Sequence, residues 1–385
     1  MKILPYGHQS IGEDDINAVV EVLRSDFLTQ GPKVKEFEEM LSGRVGAEFG
    51  VVFSSGTAAL HGAYFAAGLG CGDEMITSPL TFLATANAAL FLDAHPVFAD
   101  VEPDTGNIVP GLIEKVITQR TKAVVPVHYA GHPVELKEIS KIARKHNLIL
   151  IEDACHALGA QYLSTNIGDC TYSDMTVFSF HPVKSITAGE GGAVLTNNED
   201  LYKKLLMFRH HGVTKDGPAF QNKETCRGQW YYEMQYLGYN YRLTDIHSAL
   251  GVSQLRKLDQ FIRRRREIAA VYSKAFGDSP FFDVPAEKRY AKSSWHLYPI
   301  RLKEEFQHRK AWIFERLREN GLGVQVHYIP VHLQPFYQHL GYKKGLCPNA
   351  EDFYRREISM PLYPSMTDDD IDYVIETTVS VFRTI

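Results

Sequence analysis

Met175-Thr-Val-Phe-Ser-Phe-His181-Pro-Val-Lys184-Ser-Ile-Thr-Ala-Gly189-Glu-Gly-Gly192-Ala-Val-Leu-Thr196 is the stretch that decides the fold. Its first part, residues 175–180, is apolar and β-prone, and it stops at His181-Pro182 because proline cannot donate to a sheet ladder. Lys184 is left at the mouth of that strand. The last part, residues 192–196, reads as a second strand and begins too soon after the glycine-rich turn for a helical crossover. The two strands therefore pair antiparallel, as in a hairpin. Upstream, strand-like runs fall at 50–54, 74–77, 95–100, 123–128 and 148–152, with helical stretches at 57–67, 80–92, 110–118 and 134–146. Such alternation predicts an α/β fold: a seven-stranded, mostly parallel mixed sheet with one antiparallel strand, covered on both faces.

Outside this block the pattern is helical at both ends. Residues 14–25 place Ile16, Val19, Val20 and Leu23 on one face behind Asp14, a candidate N-cap, and a second helix at 33–42 follows the Gly31-Pro32 turn. A single long helix is expected over 244–277, opened by Thr244 or Asp245. It carries Arg263, Arg264, Arg265 and Arg266, which on a helix point in four directions and read as a solvated or interface face, not a nucleic-acid site. A smaller α+β region follows, with strands at 295–302 and 323–327 and helices at 308–320 and 367–383. The expected division is 1–250, an N-terminal segment and large domain, and 251–385, a small C-terminal α+β domain.

With 385 residues and 44% apolar content the chain can bury a large core, and its net charge of −5 argues against nucleic acid or an anionic membrane as partner. No apolar run is long enough to span a bilayer and no signal peptide is visible, so a cytoplasmic location is expected. Cys71, Cys155, Cys170, Cys226 and Cys347 are odd in number and scattered, which fits free thiols in a reducing compartment and not a disulfide frame or a zinc site. No metal is expected. His128 and His132 are four apart, but Gly131 and Pro133 deny them a helix.

Four segments carry chemistry. A lysine at a strand mouth is partly desolvated and can lose its proton near neutral pH, as a carbonyl-attacking amine must; the plain alternative for Lys184 is a loop lysine. Ser54-Ser55-Gly56-Thr57 lies where a strand hands over to a helix, where small residues and free N–H groups suit a phosphate; an ordinary N-cap at Ser55 or Thr57 is the other reading. Residues 148–153 form an apolar strand ending in Glu152-Asp153, so Asp153 and Lys184 come out on one face of the sheet. A carboxylate at ~4 Å from a ring N–H⁺ contributes about 4 kcal/mol at an effective dielectric near 20, enough to keep a pyridine nitrogen protonated. Phe82 follows another strand end and either stacks on a flat cofactor or fills core. Cys155-His156 as a thiol nucleophile is disfavoured, because adjacent side chains on an extended segment point apart. A lysine, an acid, an anion cradle and an aromatic ring together describe a pyridoxal phosphate (PLP) site.

The chain resembles the nucleotide-sugar aminotransferases, a fold-type I PLP family acting on keto-sugars. The likeness runs from Tyr6 into the C-terminal region through Leu28-Thr-Gln-Gly-Pro32, Ser54-Ser-Gly-Thr57, Glu152-Asp-Ala-Cys-His156, residues 178–192, Gly238-Tyr-Asn-Tyr-Arg242 and Val326-His-Tyr328. It implies that Lys184 binds the cofactor as a Schiff base and shuttles the proton, that Asp153 pairs with the pyridinium, and that His156 lies beside the ring hydroxyl. It further implies that Phe82 stacks on the ring, that Ser55, Gly56, Thr57 and Ser179 hold the phosphate, and that Asn240 reaches the phosphate of the neighbouring subunit, which requires a homodimer with shared active sites. Tyr6, Asp26, Phe27, Leu28, Thr29, Val326, His327 and Tyr328 would line the sugar-nucleotide pocket. Lysine at 184, where a dehydratase branch has histidine, points to transamination. Residues 178–192 and 326–330 look most like the branch aminating C4 of a UDP-linked 4-keto-6-deoxy sugar in pseudaminic acid synthesis, with L-glutamate as donor and 2-oxoglutarate as product. An enzyme forming UDP-4-amino-4-deoxy-L-arabinose is the alternative, and a non-catalytic PLP-binding regulatory protein is the alternative of another class.

Overall fold

The computed structural model describes residues 2–222 and 228–385; Cys226 lies outside them, and Cys71, Cys155, Cys170 and Cys347 are free thiols. Seven strands build the central sheet: β1 (Phe49–Phe53), β2 (Glu74–Thr77), β3 (His95–Phe98), β4 (Thr121–Val125), β5 (Ile149–Asp153), β6 (Met175–Ser179) and β7 (Gly192–Thr196). Their spatial order is β1-β7-β6-β5-β4-β2-β3, and β7 alone runs antiparallel to its neighbours. This is the mixed sheet that the short 189–192 turn demanded.

Both faces of the sheet are buried, as parallel strands require. Val51, Phe53, Val125, Ile151, Val177 and Val194 pack to one side, with α3 (Gly56–Ala66) and α6 (Glu199–Phe208). Their alternates Val52, Val124, Leu150, Phe178 and Leu195 pack to the other, with α2 (Pro32–Val45), α5 (Leu136–Lys145) and α7 (Asp245–Arg256). Two further helices complete the frame, α1 (Glu13–Leu23) and α4 (Leu83–Leu90).

Beyond α7, α8 (Leu258–Phe276), α9 (Lys310–Glu319) and α10 (Asp368–Phe382) enclose a second cluster with the antiparallel strands β8 (Phe282–Asp283), β9 (Tyr298–Leu302) and β10 (Glu357–Met360). Ile268, Tyr272, Tyr298, Ile300, Ile313, Leu317 and Val374 are at its centre. No helix among the described residues is long and apolar enough to cross a membrane.

Four local expectations need correction. The long helix over 244–277 is two helices that meet at Lys257, whose ammonium is drawn to Asp14 (3.0 Å) and Asp15 (2.5 Å) on α1. The apolar periodicity continues through that point, so the break is a tertiary effect. Asp14 is not the cap of α1; Gly12 is, and the Asp15 carboxylate reaches back to accept from the Gly12 N–H at 2.9 Å. The strand expected at 323–327 is only the pair Leu322–Gly323 beside Leu4–Pro5, because His327 is drawn out of the ladder: its N–H donates to Glu357 Oε2 and its carbonyl accepts from the Tyr129 hydroxyl. Arg265 is fully buried, not a solvated member of its run. Its Nη1 donates to the carbonyls of Leu362 (2.9 Å), Trp295 and His296 (3.3 Å each), and burial lowers its pKa to about 10.

Candidate active site

Ligands of open α/β sheets sit at the carboxyl ends of the strands. Here β6 and β5 run parallel with Val177 level with Asp153, so Asp153 and the turn after β6 emerge at one edge. Lys184 stands in that turn, its N–H bonded to the His181 carbonyl at 2.9 Å. Desolvation pulls the Lys184 amine below the ordinary lysine range, although part of its surface still faces the cleft; Cys155 and Asp153 act in the opposite sense. The Cys155 thiol is driven well above its usual range, by burial first and by the charge of Asp153 next, so it is protonated and not a nucleophile.

Asp153 is buried and fixed at both oxygens. Oδ2 accepts from Thr85 Oγ1 at 2.6 Å, and Oδ1 accepts from the Cys155 N–H at 3.2 Å. Thr85 in turn lies 2.7 Å from Thr81 Oγ1, and its carbonyl accepts from the buried Tyr64 hydroxyl. Neither threonine was singled out from the sequence. Their i, i+4 spacing around the start of α4 is the signal that could have found them.

The candidate anion cradle is assembled from three distant segments. Ser55 caps α3, accepting from the Ala58 N–H at 3.1 Å, which decides between Ser55 and Thr57. Gly192 is in register with both Phe53 and Ser179, which brings the start of α3 against the end of β6. The approach leaves no room for side chains: a Cβ at Gly192 would lie 2.5 Å from the Ser55 carbonyl oxygen, and one at Gly56 would lie 2.9 Å from Ser179 Cβ. Gly56, Thr57 and Ser179 therefore border one small-residue concavity at a helix N-terminus, the arrangement that suits a phosphate.

His156 follows Asp153 in the same turn and is buried. Its Nε2 lies 3.0 Å from the Tyr328 hydroxyl, while Nδ1 is buried with no protein partner. Burial, with Lys184, His327 and His128 nearby, holds its imidazole well below the histidine range, so the ring is neutral. The His296 ring lies against it, centroids 4.3 Å apart. His296 gave no sequence signal, because it sits in an ordinary segment leading into β9. Phe82 is 59% exposed at the N-cap of α4, with Tyr328 6.4 Å away, so it is a cleft-facing ring and not core. Tyr6 lies 5.2 Å from His327, whose Nδ1 is 2.8 Å from Ser359 Oγ, and half-buried Val326 precedes it. Tyr6, Val326, His327 and Tyr328 thus form one wall.

Five of the singled-out residues lie elsewhere. Asp26, Phe27, Leu28 and Thr29 are exposed beside the start of α7, where the Leu28 carbonyl accepts from the Asp245 N–H and Thr29 bridges Thr244. Asn240 is exposed, its backbone bridged to His210. None of the five makes a hydrogen bond or ring contact with Lys184, Asp153 or His156 of the same chain. His128 and His132 are engaged by protein groups, His128 with Glu152 (2.8 Å) and the Val134 N–H, His132 with the Pro133 carbonyl and the Lys288 N–H.

The DegT/DnrJ/EryC1/StrS aminotransferase family matches residues 9–379. The chain belongs to this family. A Campylobacter jejuni relative, UDP-4-amino-4,6-dideoxy-N-acetyl-beta-L-altrosamine transaminase, is 43% identical, with 99% of this chain and 98% of the relative covered. Among solved structures, Helicobacter pylori PseC, an aminotransferase involved in the biosynthesis of pseudoaminic acid, superposes with a TM-score of 0.92 at 37% identity over 100% of both chains. The PLP form of Streptococcus pneumoniae Spr1654, a sugar aminotransferase, does so with a TM-score of 0.92 at 30% identity over 99% of each. The seven-stranded sheet with its one reversed strand is therefore the sugar-aminotransferase fold.

Proposed function

We propose that this protein is a PLP-dependent transaminase that moves the amino group of L-glutamate to C4 of a UDP-linked 4-keto-6-deoxy sugar, the activity named for its Campylobacter relative. The observation that carries the reading is the delivery of a desolvated Lys184 amine and a doubly anchored Asp153 carboxylate to the same sheet edge, beside a glycine-lined cradle.

The residues fit the cofactor on grounds internal to this chain: His156 Nδ1 is buried without a protein partner, and the close approach at Gly56 and Gly192 brings the N-terminus of α3 against the end of β6, where a phosphate could take the free N–H groups. Bound there, PLP supplies an aldehyde that takes up amines and a ring that withdraws electrons. Lys184 Nζ, whose pKa desolvation lowers, is the group that would hold the cofactor and then take and return the substrate's proton. Asp153 would bind a ring N–H⁺, and Thr85 and the Cys155 N–H keep its oxygens from rotating away. Ser55, Gly56, Thr57 and Ser179 would receive the phosphate, and Phe82 would cover one ring face. Tyr6, Val326, His327 and Tyr328 orient the sugar end.

Asn240 and residues 26–29 enter this scheme through a second copy, in a homodimer with shared sites. The support is their exposure away from their own Lys184, together with an apolar arm in which Trp230 is 81% and Leu237 73% exposed. We assign the cofactor-binding part and the small domain along the expected 1–250 and 251–385 division, with the changeover of core falling later, inside α8, where the hydrophobic clusters part between Ile262 and Ile268. The four described free cysteines favour a cytoplasmic enzyme.

A coupled assay with glutamate and a panel of UDP- and dTDP-linked 4-keto sugars tests the assignment. Turnover restricted to the UDP-4-keto-6-deoxy acetamido sugar supports it. Preference for the 4-keto-arabinose nucleotide moves the protein to the other branch. Absence of any glutamate-dependent bleaching of the cofactor would leave a binding protein and end the enzymatic reading.

A further inference from the structure

Tyr328 belongs by position to the sugar wall, yet its hydroxyl points inward, 3.0 Å from His156 Nε2. We propose that Tyr328 is a positioning residue: its O–H donates to Nε2, locking His156 as the Nδ1–H tautomer and aiming that hydrogen at an acceptor oxygen on the cofactor ring. This rests on the cofactor assignment above and gives Tyr328 a task that a sugar contact would not require.

The argument is a count of donors and acceptors. Neutral imidazole carries one N–H and one bare nitrogen, and a phenol can give or take. If Nε2–H donated to Tyr328, the phenol hydrogen would have no partner, and the bare Nδ1 would face an ionised ring oxygen, lone pair to lone pair. If Tyr328 donates, its hydrogen is used and Nε2 is satisfied. One group then remains over, the buried Nδ1–H. That is the donor an anionic oxygen needs, and buried polar groups are paired in finished sites.

The surroundings remove the other ways out. A doubly protonated ring would evade the tautomer choice, but His156 is buried among Lys184, His327, His128 and the His296 ring, all neutral or cationic neighbours that disfavour a further charge. The ring is crowded as well. The tilted His296 ring has its centroid 4.3 Å away, and the backbone of His156 is held by Ser294 Oγ, which donates to its carbonyl at 2.8 Å. Tyr328 itself stays a donor, since burial, followed by Tyr6 and then Asp153, raises its phenol well above the ordinary range.

The test is an absorbance titration of the holoenzyme. The Lys184–cofactor linkage changes colour as its nitrogen loses a proton, and a donor on the neighbouring ring oxygen makes that proton easier to lose. Tyr328→Phe keeps the ring and removes the hydroxyl. The midpoint is expected to move upward by roughly one pH unit, the worth of one charge-assisted hydrogen bond. His156→Leu, which removes the ring donor, is expected to move it too, and adding Tyr328→Phe to His156→Leu should then move it no further. An unshifted midpoint in Tyr328→Phe would overturn the inference, as would an equal shift in the His156→Leu background. If the wild type shows no coloured linkage at all, the cofactor reading fails instead, and the two failures are told apart in the first spectrum.

Discussion

Replacing Thr85 by valine keeps the shape of a buried side chain and deletes one hydroxyl, the donor to Asp153 Oδ2 at 2.6 Å. Three consequences follow from the local geometry. Asp153 keeps only the 3.2 Å contact from the Cys155 N–H, so its carboxylate is free to swing about its last bond. Thr81 Oγ1 loses its partner. The helix itself is little affected, because Val and Thr share a branched Cβ. A hydrogen bond to a charged group contributes roughly 1.5–3 kcal/mol. If about 2 kcal/mol of it is felt when charge accumulates on the ring opposite Asp153, the glutamate half-reaction slows about 30-fold. The measurement is single-turnover bleaching of the cofactor band by glutamate under stopped flow, alongside cofactor content and thermal midpoint. The loss should appear in the rate and not in the glutamate concentration giving half-maximal rate, since Thr85 touches no substrate. A rate within twofold of wild type, in a protein with full cofactor occupancy, would refute the claim that Thr85 orients Asp153.

Three other outcomes are expected. Gly192→Ala drives a methyl into the Ser55 carbonyl and should weaken PLP retention on dialysis at least tenfold while costing about 1–3 kcal/mol of stability; undiminished retention would mean the cradle lies elsewhere. Acid should destabilise the protein as the buried histidines take up protons. Burial lowers the pKa of His61 and of His132 to about 4 and that of His327 to about 3, so their folded values are depressed below ~6.5. Their contribution is present above pH ~6.5 and is lost as pH falls through 6 toward 4; His61→Leu should flatten the slope of urea midpoint against pH in that window, and an unchanged slope would exclude it. Finally, mixing inactive Lys184→Ala with Asn240→Ala should regain activity, since a heterodimer has one site with both residues intact. No regain on subunit exchange would argue that each chain works alone.

Much of this was legible because the chemistry rests on short local signals. Pro182 follows the end of β6, the 189–192 turn makes β7 run backwards, and the acids at 152–153 end an otherwise apolar strand, so the mixed sheet and the shared edge of Lys184 and Asp153 follow from neighbours in sequence, whereas the spatial order of the strands does not. What escaped depends on residues far apart. The break at Lys257 falls where that residue pairs with Asp15, far away in sequence. His327 leaves its strand because Tyr129 and Glu357 draw it away, and Arg265 is interior because the carbonyls of Trp295, His296 and Leu362 converge on it. His296 and Thr85 act through a neighbour's ring or carboxylate, and no periodicity encodes that.

The placement of β1 has a bearing on how the protein matures. As the outermost strand it has one ladder partner, β7, which is translated far later. Until that late strand threads between β1 and β6, Ser55 and Ser179 have nothing to hold them together, so a nascent or half-assembled chain possesses the lysine but not the grip for a phosphate. Uptake of the vitamin-derived ligand is then a report on completed long-range assembly, and long-range pairing of this kind is slow. Starving cells of vitamin B6 should leave finished apoprotein, whereas truncating the chain before residue 192 should leave none that can be rescued by feeding it.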